Sequence, residues 1–145
     1  MNESVVDVIL LDVPVALWAR WREHLSRMLD ELSTESSAAA HVEELRKRLR
    51  DEYPTVAETA DAELRSAAVR RAETVDVAYP VPRRGRAEVD EFLAALDALD
   101  ACARKAKRKD LVSPKELVTF RRWYFGEIGR QLDGGFPTPW PASKG

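Results

Sequence analysis

The side chains best suited to chemistry are few and scattered. His24 and His41 each stand beside carboxylates, Glu23 for the first and Glu43 with Glu44 for the second. Imidazole with carboxylate is a donor set that divalent metals use, but the spacing matches no metal motif. On a helical projection each histidine falls about 80° from the centre of its apolar stripe, a boundary position where a half-exposed imidazole is ordinary. Cys102 is the one cysteine, so no internal disulfide exists, and no histidine shares its helix to act as a base for a thiolate. The serines stand in capping and linker contexts. No Gly-x-Ser-x-Gly, phosphate-binding loop or dinucleotide fingerprint is present, so neither a catalytic residue nor a cofactor is expected.

Two charged residues stand out because they occupy apolar stripes. Arg121 projects between Ile128 and Leu132, and Asp100 projects within the stripe of Val89, Phe92, Leu93, Leu96 and Leu99. If the two helices form an antiparallel hairpin, both residues lie about two turns from the connecting loop and their heights match. A buried cation needs a partner, so the expected outcome is a semi-buried Arg121–Asp100 ion pair that fixes register. The alternative leaves Arg121 free to anchor a phosphate or carboxylate in a pocket between these helices.

The run Arg104–Lys109, with Arg83, Arg84 and Arg86 upstream, is a candidate phosphate-binding patch, although no aromatic residue is interleaved. Cations in a last helical turn also stabilise the helix through its dipole, without any partner. Six of the eleven Phe, Trp and Tyr residues fall in Phe120–Phe125, Phe136 and Trp140. Trp123 points about 120° away from Leu117, so it either meets the tail Phe136-Pro137-Thr138-Pro139-Trp140-Pro141 or lies exposed. Trp123, Phe136 and Trp140 are therefore the candidate interaction residues.

The elements that position these residues follow from pattern and punctuation. Val5–Leu11 is β-branched and apolar on both faces, which suits a strand covered on both sides. From Pro14 the spacing of Leu17, Trp21, Leu25, Met28 and Leu32 is helical, up to the linker Ser33-Thr34-Glu35-Ser36-Ser37. Ser36 or Ser37 caps a second helix with Val42, Leu45 and Leu49, ended by Tyr53-Pro54. A third runs to about Glu73 on a thin stripe of Ala60, Leu64, Ala67 and Ala68. Thr74–Tyr79 alternates and pairs with the first strand, and Pro80, Pro82 and Gly85 mark a boundary before the Val89–Ala103 helix. Ser113-Pro114-Lys115-Glu116 reads as a capping box opening the last helix, which Gly134-Gly135 closes.

The expected fold is α+β and predominantly helical, about five helices with a two-stranded β element: one globular domain over 1–135 and an extended tail over 136–145. With 145 residues, 45% hydrophobic and a net charge of −2, the chain holds a core and has no global field drawing it to nucleic acid or an anionic membrane. No signal peptide or membrane span is read, and the cytoplasm is the expected compartment.

Phe120-Arg121-Arg122-Trp123-Tyr124, Arg130-Gln131 and Pro137-Thr138-Pro139-Trp140-Pro141 resemble a family of small uncharacterised bacterial proteins. These are encoded near anti-sigma-factor kinases, phosphatases and other partner-switching genes. Val8–Pro14 and Val75–Pro82 carry the same resemblance. It implies a cytoplasmic accessory role in stress or signalling regulation, and it supplies no catalytic residue. The expected function is a non-enzymatic regulatory or adaptor module that binds a protein partner or its own copies through the C-terminal aromatic region. Binding of an anionic small molecule, with or without catalysis, and binding of nucleic acid are the alternatives.

Overall fold

The computed structural model describes residues 4–34 and 36–141; the side chains of residues 55–57, Ala60 and Tyr79 are outside that set, as is Glu35 of the expected linker. The order is β1 (Val5–Pro14), α1 (Val15–Leu32), α2 (Ser37–Glu52), α3 (Pro54–Val69), β2 (Thr74–Pro82), a single 3-10 turn at Arg83–Gly85, α4 (Arg86–Lys105) and α5 (Lys115–Leu132). The class is α+β and predominantly helical, with five helices against a two-stranded antiparallel sheet among the described residues.

Val8, Leu10, Val13, Val77 and Val81 point one way from the sheet into the core. The strict alternation of a strand would turn Asp12 inward after Leu10. A bulge between Leu10 and Val13 prevents this: Asp12 takes a left-handed φ of 56°, and its N–H donates to Asp76 Oδ1 at 2.8 Å. The extra residue keeps the acid outside and returns Val13 to the core.

The expectation that both strand faces are covered is incorrect. Val5, Asp7, Ala78 and Pro80 on the other face are exposed, with Ile9 and Leu11 half-buried. Helices pack on one side only, so a run apolar on both faces here reports β propensity rather than two-sided burial.

The edges of the sheet are individually finished. Gln131 of α5 acts as a stand-in strand: Ile9 N–H donates to its Oε1 at 2.9 Å and its Nε2 donates to the Ile9 carbonyl at 2.8 Å. The N–H of Trp140 then donates to the Leu11 carbonyl at 3.1 Å. Because Ile9 bonds outward, its partner Ala78 does too, as do Pro80 and Pro82 two and four residues on. Prolines are tolerated where no donor is required, which is why β2 continues through both instead of stopping at Pro80.

Ser36 caps α2, its Oγ accepting from Ala38 N at 3.1 Å and Ala39 N at 3.3 Å. The Ser113 capping box does not form: Pro114 occupies the cap position of α5 without a side-chain hydrogen bond. Arg121 Nη1 donates to the Ser113 Oγ at 3.3 Å, and Glu116 pairs instead with Arg20. Helix α3 ends at Val69, short of the expected Glu73, and buries Leu64 and Ala67 but not Ala68. The place of Ala60 in that stripe lies outside the described side chains.

The core falls into two clusters. One, around the sheet, holds Val8, Leu10, Trp18, Leu64, Phe120, Tyr124 and Ile128. The other, among α1, α2 and α4, holds Leu25, Met28, Leu32, Val42, Leu45, Phe92, Leu96 and Leu99. Trp21 and Phe125 touch both, their rings 5.7 Å apart in an edge arrangement. Among the described residues no helix is long and apolar enough to cross a membrane.

Candidate functional site

Among the described side chains of α3 only Leu64 and Ala67 are fully buried, and the two clusters do not close on each other beside this helix. A cleft of about 620 Å³ remains there. This lies within the range of small-molecule sites, and the lining follows their usual composition of apolar walls with a few polar groups. Each helix contributes a row at helical spacing: Trp18, Trp21, Arg22 and Leu25 from α1; Arg46, Leu49, Arg50 and Tyr53 from α2; Glu58, Asp61 and Arg65 from α3. Glu88, Val89 and Phe92 of α4, Tyr124, Phe125 and Ile128 of α5, and Val81 of β2 also line it.

The charges are unequally satisfied. Asp61 is held by Arg22 at 2.7 Å and lies 4.0 Å from Arg65, while the Arg22 guanidinium stands 5.1 Å from the Trp18 ring. Among the described residues Arg46 reaches one carboxylate, the exposed Glu43, at 3.4 Å. Burial lowers the Arg46 pKa; Glu43 opposes this, and the nearby Arg50 and Arg22 charges add to it. It remains a cation, because arginine starts so far above neutrality. Arg50 has no ion pair among the described residues. Deeper in, the Tyr53 hydroxyl donates to Glu88 Oε1 at 2.8 Å, and burial with that bond pushes its pKa up to about 12. Glu88 Oε2 is buried without a hydrogen bond among the described residues.

Arg121 is not part of the cleft. It is 3% exposed, with Nη1 2.7 Å from Asp100 Oδ2 and Nη2 2.7 Å from Asp97 Oδ1. Asp100, 2% exposed, also accepts from Ser113 N at 2.9 Å, tying the α4–α5 connection to the pair. The contact is close but does not meet hydrogen-bond geometry, and among the described residues Asp100 Oδ2 and Arg121 Nε have no hydrogen-bond partner. Asp100 and Asp97 thus both engage Arg121, which only the alternative reading left free as an anchor. Asp97 escaped sequence reasoning because it lies at the rim of the stripe, where acids are ordinary.

The remaining candidates separate. Burial lowers the His24 pKa, with nearby Asp100 opposing, while His41 Nε2 lies 3.5 Å from Glu91 Oε2. Among the described residues no group of three or more His, Cys, Asp or Glu side chains is placed to hold a metal. Cys102 accepts from Ser36 Oγ at 3.1 Å. Within the basic run, Arg108 is engaged by Glu31 and Asp110, Arg104 and Lys105 are exposed in the last turn of α4, and Lys107 and Lys109 are exposed beyond it.

The tail folds back. Trp140 packs 5.4 Å from Trp123 and 5.8 Å from Phe120, and Trp123 Nε1 donates to the Thr138 carbonyl at 3.2 Å. Buried Glu127 receives the Thr138 N–H at 2.8 Å, and Arg130 donates to Thr138 Oγ1 at 2.8 Å. Trp123 and Trp140 are therefore engaged with each other, and Phe136 alone of the three is left 85% exposed.

No protein-family model, no curated protein and no solved structure matches the chain.

Proposed function

We propose that this protein is a binding module for a small, largely apolar molecule held in the cleft between the two core clusters. The observation that carries this reading is the cleft itself: about 620 Å³, walled by Trp18, Trp21, Phe92, Tyr124 and Phe125 from three helices. A solvent-open cleft of this size between aromatic side chains has the dimensions and apolar lining of small-molecule sites. The reading keeps the small-molecule alternative but moves the ligand away from Arg121. Calorimetric titration with 1-dodecanol tests it. Binding to the unmodified protein and its loss in Leu49→Trp, which fills the cleft from a partly exposed position, are expected. Unchanged binding in a folded Leu49→Trp protein would place the ligand elsewhere.

A second reading, a regulatory or adaptor module that contacts another protein in stress or signalling regulation, draws on Phe136. A phenylalanine 85% exposed beside a docked tail is an anchor of the kind that protein interfaces bury. Removing the whole tail is a poor test, because it would also uncover Phe120 and Trp123. Phe136→Ser touches only the exposed ring. It is expected to leave the unfolding midpoint unchanged while abolishing capture of partners from the native host; full capture by the variant would sink the adaptor reading.

A further inference from the structure

The polar rim of the cleft says more about its occupant than the walls do. On α2, Arg46 and Arg50 are four residues apart and stand on one face at the mouth, where like charges at that spacing repel. Leu49 and Tyr53 continue the same row into the apolar interior. Of the acids nearby, Asp61 pairs with Arg22, Glu88 Oε1 accepts from Tyr53, and Glu43, outside the lining, lies 3.4 Å from Arg46. Glu58 also lines the cleft, so the lining carries four arginines against Glu58, Asp61 and Glu88. The excess positive charge sits on α2, beside the apolar opening.

We infer that the cleft takes an amphipathic anion, its hydrocarbon or aromatic body between the two cores and its anionic head bound by Arg46 and Arg50. This rests on the small-molecule reading above and names the ligand's chemical class. A carboxylate, sulfonate or phosphate accepts from guanidinium groups in charge-assisted, forked geometry, and it would relieve the repulsion between the two arginines. The concave walls accommodate a single molecule released into water, not the flat surface of a bilayer.

The test compares two probes with the same chain, dodecanoate and 1-dodecanol, each below its aggregation limit, by quenching of Trp18 and Trp21 fluorescence. Dodecanoate is expected to bind the unmodified protein about tenfold more tightly, the advantage shrinking as salt is raised. In Arg46→Gln/Arg50→Gln the advantage should vanish while 1-dodecanol binding is retained. If the double variant does not fold, Arg50→Gln alone, at an exposed position, should reduce the advantage. Equal affinity of both probes for the unmodified protein, or an advantage that survives these substitutions, overturns the anionic head while leaving the apolar cleft standing. Binding of neither probe overturns the cleft reading as well. Flotation with phosphatidylglycerol vesicles without any binding of monomeric dodecanoate would make a lipid surface the source of the anion and overturn the inference.

Discussion

Arg121→Met should destabilise the protein by about 3–5 kcal/mol, the cost of leaving a buried partner charge uncompensated. Asp100 would remain 2% exposed with its second oxygen facing a thioether. Asp97 is 49% exposed on its side chain and turns to water, so nearly all of the effect falls on Asp100. The neighbouring Arg122 also touches Asp97, at 3.5 Å, but is 62% exposed, and Arg122→Met should change stability by less than about 0.5 kcal/mol. Arg121→Lys should fall between them, since an ammonium does not fork to two carboxylates. Urea unfolding of the three variants at fixed pH measures the series. Equal midpoints for Arg121→Met and Arg122→Met would contradict the pairing.

The other large effect is expected at Phe120, which is fully buried and central to the aromatic cluster of Trp21, Trp123, Tyr124 and Trp140. Phe120→Ala should cost about 3–5 kcal/mol in the same assay, from lost burial and the cavity left behind. It should also loosen the tail, because Trp140 rests on this ring. The readout is a red shift of tryptophan emission at denaturant concentrations well below the unfolding transition. A loss of stability with emission unchanged would show that the polar contacts of Thr138 suffice to hold the tail.

Arg121 and Asp100 were legible in the sequence because a charge on an apolar stripe violates its surroundings in one dimension. The helices were legible for the same reason of periodicity, apart from their ends. Trp18 is buried, whereas the expected stripe named Leu17 and Trp21, both of which are only half-buried. A helix enclosed by several neighbours has a wider inward face than a single row describes. Gln131 carried a similar signal, a polar residue adjoining Ile128 and Leu132, but only the structure supplies the bare strand edge that it satisfies.

The cleft was scarcely legible. It is a deficit of packing distributed over five helices, and periodicity reports which way side chains point, not whether the facing side chains are large enough to meet. One trace was present: Arg46 and Arg50 interleave with Leu49 and Tyr53 on one row of α2, cations placed where an ordinary stripe would be apolar. The capping box failed for a comparable reason, since the serine hydroxyl that its motif requires is claimed by an arginine eight residues away in sequence.

The finished edges of the small sheet limit how copies of this protein can associate. An amide side chain and Trp140 occupy backbone groups of β1 at Ile9 and Leu11, and Pro80 and Pro82 remove donors from the outer rim of β2. Neither side presents a full ladder for a third strand, so fibrillar growth by strand addition has no template here.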